Sequence, residues 1–126
     1  MLLPDHCKKM EFYLRRKNSF LVRVPAGADG RTDISRLAAQ LGMQCLPVSA
    51  ADTQELRPDQ YRPDAIYLVD DFDKAGPQLL HTIGRLLRVM QQQFIFVTQR
   101  PDEVDYAFSR RLYYVDLGDV PEAALQ

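Results

Sequence analysis

The chain has 126 residues, of which 46% are hydrophobic and 26% charged, with a formal net charge of -1. That length makes one domain with room for a sizeable core, and the near-neutral balance excludes a broad electrostatic footprint for nucleic acid. No apolar run nears the roughly 20 residues of a bilayer span, and residues 1–5 lack the charged head and apolar stretch of a signal peptide, so the sequence reads as cytoplasmic. Cys7 and Cys45 fit that compartment as reduced, structural thiols, with no Cys-x-x-Cys spacing and no His at ligand spacing.

Residues 5–17 are predicted to form a helix with Asp5 as its N-cap. Cys7, Met10, Tyr13 and Leu14 fall on one face, and Lys8, Lys9, Arg15, Arg16 and Lys17 supply positive charge. The basic end reads as a solvated helix terminus that complements the dipole. A nucleic-acid or phosphate contact is the alternative, though few aromatics are interleaved for base stacking. The apolar run at 20–24 is an interior strand, followed by a loop and a helix over 32–41 that Gly42 terminates. Residues 45–48 form a second strand, and Pro47, which cannot donate to a ladder, puts it at a sheet edge. A short helical turn fits near residues 52–56.

Residues 65–69 are a continuous apolar run ending in Asp70 and Asp71, the pattern of a buried parallel strand with two carboxylates at its carboxyl end. A helix over 77–92 follows, with Pro77 in its first turn and Leu79, Leu80, Ile83, Leu86, Leu87 and Met90 at helical spacing. The fourth strand spans 94–98 and runs into Gln99, Arg100 and Pro101. A helix over 102–109 leads through Arg110 and Arg111 to a fifth strand at 112–117. Strands alternating with helical segments imply a parallel, three-layer α/β sheet, in which ligands bind beyond the carboxyl ends of the strands. The 25–32 loop, Asp70–Asp71 and Gln99–Arg100 all converge on that edge.

The loop itself sits where a phosphate-binding G-x-x-x-x-G-K-[ST] loop would, between a strand and a helix. Gly30 and Thr32 agree with the pattern; Pro25 replaces the first glycine and Arg31 the lysine. Such a loop works by turning backbone N–H groups toward the anion. Pro25 lacks an N–H, Ala28 adds a side chain, and Arg31 is no simple substitute for lysine. Asp29 adds a carboxylate whose repulsion of a like charge at about 5 Å and a dielectric near 20 is roughly 3 kcal/mol.

Taken together, residues 20–117 resemble the core of an AAA+ domain of the P-loop NTPase class. Val24 to Thr32 is similar to Walker A, Ile66 to Asp71 to Walker B, Val97 to Pro101 to the sensor 1 strand end, and Ser109 to Leu112 to the arginine-finger segment. The paired acids and Arg100–Pro101 resemble, more finely, the DnaA-type bacterial initiators. The resemblance implies strand order 5-1-4-3-2 within one domain over 1–126. It also implies ATP and Mg²⁺ as cofactors of a working site, cradled by Gly27, Gly30, Arg31 and Thr32, with Thr32 and Asp70 on Mg²⁺. Asp71 would polarise water, Gln99 would act as sensor 1, and Arg110 or Arg111 would reach a neighbour's γ-phosphate. Structural alternatives stand beside these roles: Asp71 capping the next loop, Arg110 paired with Asp102 or Asp105. The family's helical lid would follow the fifth strand, close to the last residue of this sequence.

The reading that follows is a degenerate, non-catalytic module without a cofactor. It would act as a regulatory or assembly subunit through contacts with a protein partner, such as an active ATPase subunit of a larger bacterial machine. The alternatives are a partner-assisted ATP-binding or ATPase subunit and a DNA-associated accessory protein of the DnaA-regulator type. A response-regulator receiver also places acids at strand ends, but the first strand here ends in a loop and no lysine ends the fifth. His6 and His81 have no Ser or Cys neighbour that would make a hydrolase triad.

Overall fold

Five parallel strands pair in the order β2-β3-β4-β1-β5: β1 is Phe20–Arg23, β2 Gln44–Ser49, β3 Ala65–Asp70, β4 Gln93–Thr98 and β5 Tyr113–Asp116. The helices are α1 Pro4–Arg15, α2 Gly30–Gln40, α3 Pro77–Arg88 and α4 Tyr106–Ser109. The computed structural model describes residues 4–27 and 30–118. The order is the one the resemblance implied, read from the other side, and it leaves the Pro47 strand outermost, paired with β3 alone.

Alternation along the inner strands divides the core into two layers. Phe20, Val22, Ile66, Leu68, Ile95, Val97 and Val115 face Met10 and Leu14 of α1 and Ile34 and Leu37 of α2. Leu21, Tyr67, Val69, Phe94 and Phe96 face Leu79, Ile83 and Leu86 of α3. Burial on both faces explains why these strands read as unbroken apolar runs. Tyr13 of α1 stacks on Tyr113 of β5 at 4.6 Å. At their carboxyl ends β1 and β5 are clamped by Arg23 and Asp116 at 2.8 Å, a hydrogen bond that holds the Arg23 guanidinium above its ordinary pKa.

Several boundaries differ from the sequence expectation for identifiable reasons. Pro4 opens α1, which moves Asp5 from the N-cap into the first turn. α2 begins at Gly30, two residues early, and its first residue packs closely against Val24. The turn expected at 52–56 falls earlier, where the Thr53 N–H donates to the Ser49 carbonyl at 2.9 Å; Pro58 then starts a 3₁₀ turn, Pro58–Gln60, closed by the Arg57 N–H donating to Gln60 Oε1 at 2.7 Å. The helix expected at 102–109 is split: a 3₁₀ turn spans Pro101–Glu103, and Asp105 caps α4 by accepting the Ala107 N–H at 2.8 Å. Among the described residues no helix is long and apolar enough to cross a membrane.

The early end of α3 has the clearest cause. Gln92, expected inside the helix, is 2% exposed. Its amide accepts the Arg62 N–H at 2.6 Å and donates to the Arg62 and Ala65 carbonyls, each at 3.0 Å. It stitches the segment before β3 to the segment before β4, so the chain leaves the helix at Arg88 to present it. Gln92→Ala removes all of these bonds, and each buried group left unpaired costs about 1–3 kcal/mol. A fall in the urea midpoint with an unchanged m-value will report it.

Candidate functional site

The carboxyl ends of β1, β3 and β4 frame the site. Past Arg23, the Val24 N–H donates to the Thr98 carbonyl at 2.9 Å and prolongs the β1–β4 ladder. Pro25 follows, then a turn in which Gly27 has φ 80° with open space around it, so its glycine serves the left-handed backbone. Ala28 and Asp29, and with them the expected charge effect of Asp29, lie outside the described residues. Gly30 is glycine for another reason: a Cβ there would overlap Val24 Cγ1.

Gly30, Arg31, Asp70, Asp71 and Gln99 line one cleft of about 110 Å³, floored by Val24 and Val97. Five residues predicted from separate segments are therefore brought together. Arg31 Nη1 lies 3.6 Å from Asp70 Oδ2, and Asp70 Oδ1 accepts the Asp71 N–H at 3.0 Å. Asp71 is left-handed, with φ 53° and ψ 43°, and precedes the 3₁₀ turn Phe72–Lys74 without a side-chain capping bond. Thr32 is exposed in the first turn of α2, and the residue is not without a partner. Gly27 stands outside the cleft lining.

Arg110 and Arg111 are not in this cleft. They precede β5 and so sit at the amino edge of the sheet, where Arg111 borders a different cavity. Neither forms an ion pair among the described residues, and Asp105 is engaged in capping α4.

The sequence reading passed over Asp73 and Thr98. Thr98 is 1% exposed; its hydroxyl donates to Asp73 Oδ1 at 2.7 Å and accepts the Arg100 N–H at 3.0 Å. That pair fixes the turn carrying Gln99. Beside it a second cleft of about 330 Å³ shares Asp71 and Gln99 and adds Asp73, Lys74, Arg100 and Glu103. An acid three residues beyond Asp70 was the available signal.

The resemblance implies a nucleoside triphosphate and Mg²⁺ at this edge, where Gly30, Arg31, Asp70, Asp71 and Gln99 line the cleft. Ligand pockets run from roughly 300 Å³ upward; the Arg31 cleft of about 110 Å³ shares Asp71 and Gln99 with the neighbouring one of about 330 Å³. Pro25 offers no N–H, and both Asp70 oxygens face internal donors. The adjoining cleft presents three carboxylates, Asp71, Asp73 and Glu103, against two cations, the wrong balance for a polyphosphate. No metal-holding group of three or more His, Cys, Asp or Glu occurs among the described residues.

Two outcomes follow from these local environments. Alanine has about 1 kcal/mol more helix propensity than glycine in a helix interior, less at a first helical position, whereas overpacking costs about 1–3 kcal/mol. Gly30→Ala will therefore destabilise the fold, seen as a lower denaturation midpoint. Burial pushes the Cys45 thiol above its usual pKa, which lowers its thiolate fraction. At pH 8 Cys45 will react with iodoacetamide more slowly than free cysteine, measurable by peptide mass spectrometry.

No protein-family model matches the chain, and no curated protein sequence matches it. Its fold does match solved structures. The Thermotoga maritima RuvB Holliday junction branch migration motor superposes with a TM-score of 0.71 at 16% identity, over 92% of this chain and 45% of that one. A variant of the same motor gives 0.71 at 16% identity, over 93% and 46%, and another 0.68 at 17% identity, over 92% and 45%. The likeness establishes an AAA+-type P-loop fold. The chain spans a little under half the length of these structures.

Proposed function

We propose that the chain is an AAA+-type module that does not hydrolyse ATP and acts as a regulatory or assembly subunit, docking on a protein partner such as an active ATPase of the same fold. The observation that carries this reading is the contact between Arg31 and Asp70. The residue standing in for the phosphate-binding lysine lies 3.6 Å from the acid that would hold Mg²⁺, and both line the same cleft. The pair itself is worth only about 0–1 kcal/mol, because both side chains are partly exposed. It therefore supports the reading through charge balance, in that Arg31 brings no uncompensated charge to the cleft.

A second reading, a partner-assisted nucleotide binder using Arg31, Thr32, Asp70 and Asp71, draws on the convergence of Gly30, Arg31, Asp70, Asp71 and Gln99 on one cleft. The two separate cleanly. In a calorimetric titration with ATP and Mg²⁺, the chain will show no saturable binding up to about 1 mM, a free energy near −4 kcal/mol. Arg31→Lys alone will not create a site, since Pro25 remains. Micromolar binding abolished by Asp70→Ala would sink the proposal in favour of the second reading. A DNA-accessory role, suggested by the branch migration motor, predicts DNA retention that falls steeply with salt; no retention at low salt dismisses it.

A further inference from the structure

At the edge opposite the Arg31 cleft, the segments entering β1, β4 and β5 wall a cavity of about 380 Å³, within the roughly 300–1,000 Å³ range of small-molecule sites. Leu87, Phe108, Leu112 and Tyr113 give it an apolar side. Lys17, Arg88 and Arg111 bring three cations to the lining, and no carboxylate joins them. The Arg88 guanidinium lies over the Phe108 ring, 5.7 Å from its centroid.

The backbone at this cavity carries a second, independent mark. After α2 the chain turns in the usual way, through Gly42 at φ 76°, since glycine enters the left-handed region without a Cβ penalty. The segments after α1 and α3 use the same region with Lys17 at φ 57° and Gln91 at φ 56°. Both of these side chains line the cavity. Left-handed non-glycine residues concentrate at functional sites, and the remaining one among the described residues, Asp71, lies on the Arg31 cleft. Complementing a helix C-terminus would account for Lys17 and Arg88. It does not account for Arg111, which precedes a strand, or for the lack of acids.

We propose that this cavity binds a small ligand consisting of a flat apolar body with one anionic group, a carboxylate or phosphate. Phe108 and Leu112 take the body, and Lys17 and Arg111 take the anion through charge-assisted hydrogen bonds. The site shares no lining residue with the Arg31 cleft, so it stands or falls apart from the proposed function.

The test is an NMR titration of the full chain with phenyl phosphate, and with inorganic phosphate and benzyl alcohol as probes of each half alone. Phenyl phosphate will shift the Lys17, Phe108 and Leu112 amides together to saturation, at least about tenfold tighter than either half-probe, the factor for one such contact of about 1.4 kcal/mol. Arg111→Gln, at an exposed position, will weaken it about tenfold. Lys17→Gly is the decisive variant: glycine suits φ 57°, so Tm will hold or rise while phenyl phosphate binding falls. Unchanged affinity in both variants, equal binding of inorganic phosphate, or no saturation by about 10 mM would each overturn the proposal.

Discussion

Parallel pairing of β1 between β4 and β5 is the constraint on which the rest of the molecule depends. Because every strand runs the same way, each connection must cross from the carboxyl edge back to the amino edge. Chemistry-bearing residues are thereby sorted by whether they follow or precede a strand. Arg31, Asp70, Asp71 and Gln99 follow strands and meet at one edge. Lys17, Gln91 and Arg111 precede strands and meet at the other. Residues distant in sequence become neighbours for this reason alone.

The Arg31–Asp70 contact has to be weighed with that geometry in mind. As an interaction it is minor, since partly exposed pairs are weakened by solvent and salt. Its importance lies in the charge of each member that the other balances. A phosphate cradle needs converging donors with uncompensated positive charge, whereas here the guanidinium faces a carboxylate and the preceding loop opens with proline. The AAA+-type fold thus surrounds a cleft in which Arg31 and Asp70 face each other. Gly30 serves the fold itself: its glycine permits the close approach to Val24, which helix–strand packing requires with or without a ligand.

Much of the fold was legible in the sequence because the inner strands are buried on both faces and the helices on one. Apolar runs at 65–69 and 94–98 have few other readings, and Pro47 marks an edge by its missing N–H. The candidate cleft was legible too, because strand-end residues in a parallel sheet share one edge. What local pattern could not show were long-range effects. The period of α3 continues past Arg88, but Gln92 is held by carbonyls and an N–H at 62–65, a contact 30 residues away. The basic end of α1 lacked interleaved aromatics in sequence, yet folding brings Tyr113 and Phe108 beside Lys17 at one cavity. Whether Arg31 would reach a ligand or Asp70 is likewise a matter of side-chain geometry that no spacing rule contains.

The two edges must also be considered together. β1 has four residues, so at about 3.3 Å per residue it separates them by roughly 13 Å. That exceeds the Debye length of about 8 Å at physiological salt, so charge bound at one edge is felt only weakly at the other. Mechanical coupling would require an element with two stable arrangements. β1 is held from all sides: Phe20 and Val22 are fully buried, and its residues pair in continuous register with β4 and β5. The nearer link between the edges is aromatic: Phe108 of the amino-edge cavity lies edge-on to Phe72 with 5.7 Å between centroids, and Phe72 directly follows Asp71 of the Arg31 cleft.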